Sequence, residues 1–130
     1  MQTLLIARIG KNNIAIDIKY IHFIIRNNGI VKLPHMPDWM EGIISYRDRV
    51  IPVFNNKQKF GFENDSGERK RIILVEAQEN TLFGINIDQY FGIEKANENG
   101  TTLKLKDNLV SVIDVEKLID DKEVEFAKKL

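Results

Sequence analysis

Residues 41–54, EGIISYRDRVIPVF, decide the fold that this 130-residue sequence predicts. Two apolar runs rich in isoleucine and valine flank a polar link, and short β-branched runs of this kind favour strands over helices. The link, residues 46–49, is short enough to fold the two strands back on each other as a hairpin. Its tip would carry Arg47 and Arg49. We therefore expect the apolar base to provide stability and the cationic tip to provide specificity.

Apolar segments around this hairpin predict about ten short strands in all, at the spacing typical of small barrels and sandwiches. Isoleucines alternate with other residues over positions 14–18, so they share one face of a strand. The alternation breaks near Tyr20, where the spacing fits either a helical turn or a kink, and the β-branched content favours the kink. The sequence Asn-Asn-Gly at residues 27–29 predicts a hairpin that returns as a short strand over residues 30–32. Residues 72–75 form a continuous apolar run, as expected for a strand covered on both faces.

Weaker signals describe the segments between and after these strands. Asp38 follows a proline and is placed to cap one helical turn over residues 39–41. Residues 55–70 are polar and predict a surface loop, held to the protein by two phenylalanines. Residues 114–130 change to helical spacing and predict one terminal helix.

Composition limits the classes of protein that the chain can represent. Nineteen basic and nineteen acidic residues cancel, whereas proteins that bind duplex nucleic acid normally carry a basic excess. The sequence has no cysteine, which excludes disulfides and thiolate metal sites. No apolar run approaches the roughly 20 residues that span a bilayer, and the N-terminal segment lacks the pattern of a signal peptide. We therefore expect a single cytoplasmic domain over residues 1–130, with no direct insertion into a membrane.

No pattern of residues points to catalysis or to a metal site. Neither His22 nor His35 has a second ligand at zinc spacing. The serines lie outside any nucleophile motif, and there is no glycine-rich phosphate loop. We therefore expect no enzyme activity, no cofactor and no metal. The densest basic run, residues 68–71, is interpreted as a solvated face, with contact to an anion as the alternative.

An ordered set of motifs, spanning nearly the whole chain, resembles the CheW family of chemotaxis coupling proteins. The motifs are IAIDI at 14–18, IR at 25–26, LP at 33–34 with Pro37, GII at 42–44 with Arg47, VIPV at 50–53, FG at 60–61, RIILVE at 71–76, GINID at 84–88 and IDVEKLI at 113–119.

The resemblance implies an all-β fold of two small SH3-like five-stranded β-barrels that share a core, followed by a C-terminal helix. It also implies an adaptor that has no enzyme activity and no cofactor. Members of the family link the cytoplasmic tips of methyl-accepting chemoreceptors to the regulatory domain of the histidine kinase CheA, in arrays at the membrane. We therefore expect a cytoplasmic protein that joins such arrays through its partners and binds no nucleic acid.

The resemblance further implies which residues bind partners. Arg47 matches the arginine of the family's N-L-R-G turn, and Gly42 matches the glycine that opens this motif. Ile21, Phe23 and Ile24 occupy the family's V-x-E-I segment. Ile85 and Ile87 would line a groove between the barrels that receives the receptor tip. The predicted partner-binding residues are Arg47 and Gly42, then Ile21, Phe23 and Ile24, and finally Ile85 and Ile87.

Several positions depart from the family pattern. Phe23 stands where the family has a glutamate, Asp48 stands where it has a glycine, and the segment between residues 93 and 103 is short. Two alternative functions therefore remain open. One is a CheW-like module that serves another receptor system. The other is a small β-barrel that binds single-stranded nucleic acid, with Phe23, Tyr46 and Tyr90 as stacking platforms.

Overall fold

A computed structural model describes residues 2–62, 68–96, 102–105 and 108–130. Within them, ten strands form two five-stranded sheets, as predicted, and three short α-helices lie beside the strands. The strands are β1 (Gln2–Ile9), β2 (Asn12–Asp17), β3 (Ile21–Arg26), β4 (Met40–Tyr46), β5 (Arg49–Phe54), β6 (Arg71–Glu76), β7 (Leu82–Ile87), β8 (Gln89–Ala96), β9 (Thr102–Leu105) and β10 (Asn108–Ile113). The helices are α1 (Asn56–Phe60), α2 (Val115–Leu118) and α3 (Asp121–Lys128). None of these helices is long and apolar enough to cross a membrane.

The two sheets take their strands from the chain in an interleaved order. Sheet A has the order β8-β1-β2-β10-β9, and sheet B has the order β3-β6-β7-β5-β4. Most neighbouring strands are antiparallel, but β2 pairs with β10 in parallel, with Asn13 opposite Val110, and β5 pairs with β7 in parallel, with Val53 opposite Gly84. Sheet B is therefore built from one continuous stretch of chain, whereas sheet A combines early strands with late ones.

One core joins the two sheets. It contains Leu5 and Ile16 from sheet A together with Phe54 and Phe83 from sheet B. The rings of Phe54 and Phe83 stack with their centroids 5.2 Å apart, and Trp39 contacts both rings at 5.8 Å and 6.1 Å. Because both sheets line this core, separating them would expose apolar surface on each.

The predicted central hairpin is present. β4 and β5 pair in antiparallel register from Met40 opposite Phe54 to Tyr46 opposite Arg49. Arg47 and Asp48 alone connect the strands, and their φ angles are 45° and 60°. Positive φ at both central residues is the geometry of a type I′ turn, which matches the right-handed twist of the flanking strands. The left-handed backbone is unfavourable for residues other than glycine, and aspartate tolerates it better than arginine does.

The break in alternation near Tyr20 is a helical turn, so the favoured interpretation as a kink is wrong. Residues Ile18–Tyr20 form one turn of 3₁₀ helix between β2 and β3. The Asp17 carboxylate accepts a hydrogen bond from the Lys19 backbone N–H at 3.0 Å, and a capped turn of this kind satisfies donors that a kinked strand would leave open.

The predicted hairpin after β3 is also wrong. Val31 forms an isolated bridge with Ile43 of β4, with N–O distances of 2.9 Å and 2.8 Å. The Asn27 side chain accepts from the Gly29 N–H and donates to the Arg69 carbonyl, each at 2.9 Å. These bonds direct the chain away from β3, and no strand returns beside it.

Two predictions about helices need correction. Met40 already belongs to β4, and its N–H donates to the Pro37 carbonyl at 3.1 Å, so Asp38 caps no helical turn. The terminal helix is divided into α2 and α3 because Asp120 starts a new helix with a capping box. Its carboxylate accepts from the Glu123 N–H at 2.8 Å, and the Glu123 carboxylate accepts from the Asp120 N–H at 3.0 Å.

The predicted loop over residues 55–70 begins with α1. Phe60 and Phe62 pack against the shared core, as predicted. Residues 63–67 of this loop lie outside the described residues, as do residues 97–101 of the short segment between residues 93 and 103.

Candidate functional site

The tip of the β4–β5 hairpin presents two exposed arginines, Arg47 and Arg49, which differ in their contacts. Arg47 lies in the turn, with its guanidinium carbon 5.2 Å from the centroid of the Tyr46 ring. Arg49, two residues later, donates to the backbone carbonyl of Asn80 and is thereby tied to the protein. Among the described residues, Asp48 forms no ion pair with either arginine. The hydrogen-bond donors of Arg47 are therefore available to a partner.

Aromatic side chains from the two outer strands of sheet B meet beside this tip. The Phe23 ring of β3 is 50% exposed and lies 6.4 Å from the Tyr46 ring of β4. His22 contacts the same tyrosine edge to face at 6.0 Å. Because β3 and β4 are the two ends of the sheet order, these contacts bring its edges together as in a barrel. Phe23, Tyr46 and Arg47 thus form one continuous surface, which we call the tip surface.

A cavity of about 570 Å³ opens next to the tip surface. Its lining combines apolar side chains of β3, β4 and β6 with the arginine of the turn. The residues that matter here are Ile25, Val31, Ile43, Tyr46, Arg47 and Ile72. Val31 is 61% exposed. Arg26 also lines this cavity. Apolar side chains beside two arginines suit a contact made by apolar anchors and charge-assisted hydrogen bonds.

The structure brings only some of the predicted partner-binding residues to this surface. Phe23 and Arg47 are exposed, whereas Ile21 and Ile24 are half-buried and pack against the shared core. The register between β3 and β6 shifts between Ile21 and Phe23. Ile21 and Ile24 can therefore offer a partner only their exposed edges.

Gly42 is buried, so it supports the surface and does not touch a partner through a side chain. A Cβ atom at this position would lie 2.4 Å from the Val31 carbonyl oxygen and 2.7 Å from the Ile30 Cγ2. The glycine therefore permits the bridge between Val31 and Ile43, which holds Val31 beside the cavity.

The prediction that Ile85 and Ile87 line an exposed groove is contradicted. Both side chains have no exposed surface and belong to the shared core. Every residue of β7 is buried, because the strand lies at the centre of sheet B and both of its faces are covered. These two residues therefore contribute to stability and present no surface to a partner.

Sequence reasoning did not assign His22 and Val31 to the site. His22 lies at the register shift of β3, and Val31 reaches the site through its pairing with Ile43. Both positions depend on pairing between distant segments and not on a pattern of neighbouring residues. Within the described residues, no three histidine, aspartate or glutamate side chains converge as they would around a metal ion.

Sheet A carries a second exposed apolar surface. Phe91, Ile93 and Leu109 are 53%, 58% and 69% exposed. Phe91 and Ile93 line a cavity of about 560 Å³ together with Leu105 and Val110. Two separate surfaces of this kind are what a protein that bridges two partners requires.

Comparison with known proteins agrees with the resemblance found in the motifs. The family model for the CheW-like domain matches residues 3–102. The chemotaxis protein CheW of Thermotoga maritima is 25% identical over 128 residues, which cover 87% of this chain and 84% of that protein. The chemotaxis protein CheW of Klebsiella aerogenes is 22% identical over 140 residues, which cover 95% and 84%.

Among solved structures, the scaffolding protein TtCheW from Thermoanaerobacter tengcongensis matches with a TM-score of 0.80 at 22% identity. The match covers 94% of this chain and 90% of that one, so the two share the same fold. The predicted SH3-like all-β class is thereby confirmed. Since the family model covers most of the sequence, this chain belongs to the CheW-like domain family.

Proposed function

We propose that this protein is a chemotaxis coupling adaptor, which holds chemoreceptors and the histidine kinase CheA together and transforms no substrate. The observation that carries this proposal is the CheW-like match over residues 3–102. Two CheW proteins that align along most of their length support it, as does a structural neighbour described as a scaffolding protein. The exposed apolar surfaces on both sheets are consistent with this role.

We further propose which residues of this protein bind which partner. The tip surface contacts one partner, either the regulatory domain of CheA or the cytoplasmic tip of a methyl-accepting chemoreceptor. Phe23 supplies an apolar anchor, and Arg47 donates hydrogen bonds to a carboxylate or carbonyl of the partner. Ile21 and Ile24 contribute their exposed edges, and Gly42 holds the underlying strand in place. Through these contacts the adaptor would reside in receptor arrays at the cytoplasmic side of the membrane.

Replacing Arg47 by alanine tests this assignment. The side chain makes no ion pair within the described residues, so Arg47→Ala should leave the fold intact. Loss of a hydrogen bond to a charged group should weaken binding to one partner by about 1–3 kcal/mol. Isothermal titration with purified fragments of the cognate kinase and receptor measures both affinities, and circular dichroism checks the fold.

A matched control is Lys122→Ala, which removes one exposed positive charge from α3. It should leave both affinities at the wild-type value. If Arg47→Ala also binds both partners as the wild type does, the tip surface is not the partner site.

No observation favours either alternative function. A surface for single-stranded nucleic acid needs successive stacking platforms along one groove. Phe23 and Tyr46 lie together in sheet B, but Tyr90 lies on β8 of sheet A and lines a different cavity. The same two titrations, repeated with fragments of an unrelated receptor system, would reveal a module with another partner.

A further inference from the structure

Two arginines face each other where β3 ends and β6 begins. Arg26 and Arg71 are directly opposite in the antiparallel register. Side chains at such positions point to the same side of the sheet and lie close together, and like charges there are destabilising. Lys70 directly precedes Arg71 in the chain and is exposed. Three cations are therefore gathered at one corner of sheet B.

No carboxylate of the described residues neutralises this corner. Arg26, Lys70 and Arg71 take part in no ion pair there. Glu68 is exposed nearby and pairs with none of them. Asp88 is buried, and its charge is already committed to two other arginines, with Arg69 Nη1 at 2.6 Å from Oδ1 and Arg8 Nε at 3.8 Å from Oδ2.

The other end of the same strand pair is arranged differently. There His22 Nδ1 lies 3.7 Å from Glu76 Oε1. The strand pair β3–β6 thus carries a histidine–carboxylate contact at one end and two facing arginines at the other. A repulsive pair adds nothing to stability, so the fold alone does not account for it.

The three cations line an open cavity of about 650 Å³ at the boundary between the two sheets. Four of its lining side chains are cationic and two are carboxylates. Asn27 fixes one wall, because its side chain donates to the Arg69 carbonyl and its backbone N–H donates to the Lys70 carbonyl, both at 2.9 Å. Tyr90, 47% exposed, adds an aromatic ring to the opposite side.

We propose that this cavity, whose lining includes Arg26 and Arg71, binds an acidic peptide segment of a partner protein, at a site that contains none of the tip-surface residues Phe23, Tyr46 and Arg47. Two carboxylates of the segment pair with the facing guanidinium groups, which suit bidentate binding of such groups. Lys70 adds a third positive charge, and Tyr90 packs against the aliphatic part of the segment. Binding relieves the repulsion between the two arginines.

Charge complementarity favours a peptide over a nucleic acid. The whole chain has no net charge, whereas proteins that bind a phosphate backbone normally carry a basic excess. Among the described residues, Tyr90 is the one aromatic ring that lines the cavity, and a run of stacked bases needs several.

Fluorescence anisotropy with a fluorescein-labelled hexaglutamate peptide and the full chain tests the proposal. We expect saturable binding that weakens as salt is raised, because exposed charges are screened. The variant Arg26→Gln/Arg71→Gln should bind at least about tenfold more weakly. Its melting temperature should equal or exceed that of the wild type, since a repulsive pair has been removed.

The control variant Lys11→Gln/Lys122→Gln removes two exposed charges elsewhere and should keep the wild-type affinity. An equal loss in both variants would reduce the effect to overall charge and overturn the proposal. A lower melting temperature for Arg26→Gln/Arg71→Gln would also overturn it, because the pair would then be stabilising.

Two further probes separate the competing occupants. Tighter binding of a ten-residue oligothymidylate than of hexaglutamate would replace the proposal by a nucleic-acid site. The segment 63–67 contains Glu63 and Asp65. If hexaglutamate binds Glu63→Gln/Asp65→Asn but not the wild type, carboxylates of this chain already fill the cavity, and the proposal is wrong.

Discussion

The base and the tip of the β4–β5 hairpin hold their charged and aromatic side chains in different ways. At the base, Lys59 of α1 lies 2.5 Å from Glu123 of α3, and its side chain is only 13% exposed. The same ammonium group also donates to the Leu118 carbonyl at 2.6 Å and lies 5.0 Å from the Phe54 ring centroid. At the tip, Arg47 is exposed, its guanidinium lies beside the Tyr46 ring, and it forms no ion pair in the part of the chain that the structure describes.

Residues beside the base of the hairpin therefore serve stability, and residues at its tip serve recognition. A buried ion pair that loses one member leaves an uncompensated charge inside the protein, which is costly. An exposed arginine can be removed at little cost to the fold, but it offers its donors to other molecules. Substitutions at the base should therefore change the free energy of unfolding, whereas substitutions at the tip should change binding.

The largest effect is expected at the buried pair. Lys59→Met keeps the aliphatic stem but leaves the Glu123 carboxylate, 7% exposed, without its cation. Breaking a buried pair in this way typically costs about 3–5 kcal/mol. Urea denaturation followed by tryptophan fluorescence measures the loss, because Trp39 packs beside Phe54.

The double variant Lys59→Met/Glu123→Gln is the control for this experiment. Glutamine can still accept the Asp120 N–H of the capping box but carries no charge. It should recover a large part of the lost stability. If the single variant is as stable as the wild type, the pair does not hold α3 to the hairpin base.

A smaller loss is expected from Gly42→Ala. The new methyl group would meet the Val31 carbonyl oxygen, so the bridge between Val31 and Ile43 must shift. Overpacking of this kind costs about 1–3 kcal/mol. The same denaturation experiment measures it, and Ser45→Ala, at an exposed position of the same strand, is the control. Equal stability of both variants would show that the loop before β4 yields freely.

Tyr20 resembles the Lys59–Glu123 pair in one respect: its hydroxyl group is hydrogen-bonded within the protein, to Glu116. Burial, the hydrogen bond to Glu116 and the nearby carboxylates together raise its pKa from 10.0 to about 12. The folded state then holds a proton that the unfolded state releases. This contribution to stability is complete below pH 10.0 and is lost as the pH rises to about 12.

Tyr20→Phe tests this pH dependence. Its free energy of unfolding should fall less steeply than that of the wild type across this pH range. The ultraviolet difference spectrum between the two proteins should show a tyrosine that ionises near pH 12. Identical slopes for both proteins would contradict the shifted pKa.

The smallest change in stability is expected at the tip. Phe23→Glu introduces the residue type that the CheW pattern carries at this position, and the ring it replaces is 50% exposed. The free energy of unfolding should change by no more than about 0.5 kcal/mol, as for other surface substitutions. Affinity for one partner should change in the titrations described for Arg47→Ala. A large fall in melting temperature would place Phe23 in the core.

Features that depend on neighbouring residues could be predicted from the sequence. The β4–β5 hairpin follows from two apolar runs around a short polar link, and the buried strand β6 follows from its unbroken apolar run. The 3₁₀ turn at Ile18–Tyr20 is harder to predict, because its β-branched residues favour a strand while the cap from Asp17 stabilises the turn. The exposure of Phe23 and Arg47 also agrees with their assignment to a surface.

Features that depend on distant pairing could not be predicted in this way. Ile85 and Ile87 share the alternation of a half-buried strand, and only their place at the centre of sheet B shows that both faces are covered. The bridge between Val31 and Ile43 competes with a local hairpin signal and replaces it. The facing of Arg26 and Arg71 likewise depends on a register between strands that are far apart in the sequence.

The interleaved order of the strands has a consequence for synthesis of the protein on the ribosome. All five strands of sheet B precede β8, so that sheet can pair completely while later codons are still being read. The β1–β2 ribbon must wait for β8 and β10, which approach it from its two sides. During this interval the apolar edges of the ribbon are open to other strands, because non-local pairing forms slowly. Nascent-chain aggregation should therefore begin at β1 and β2.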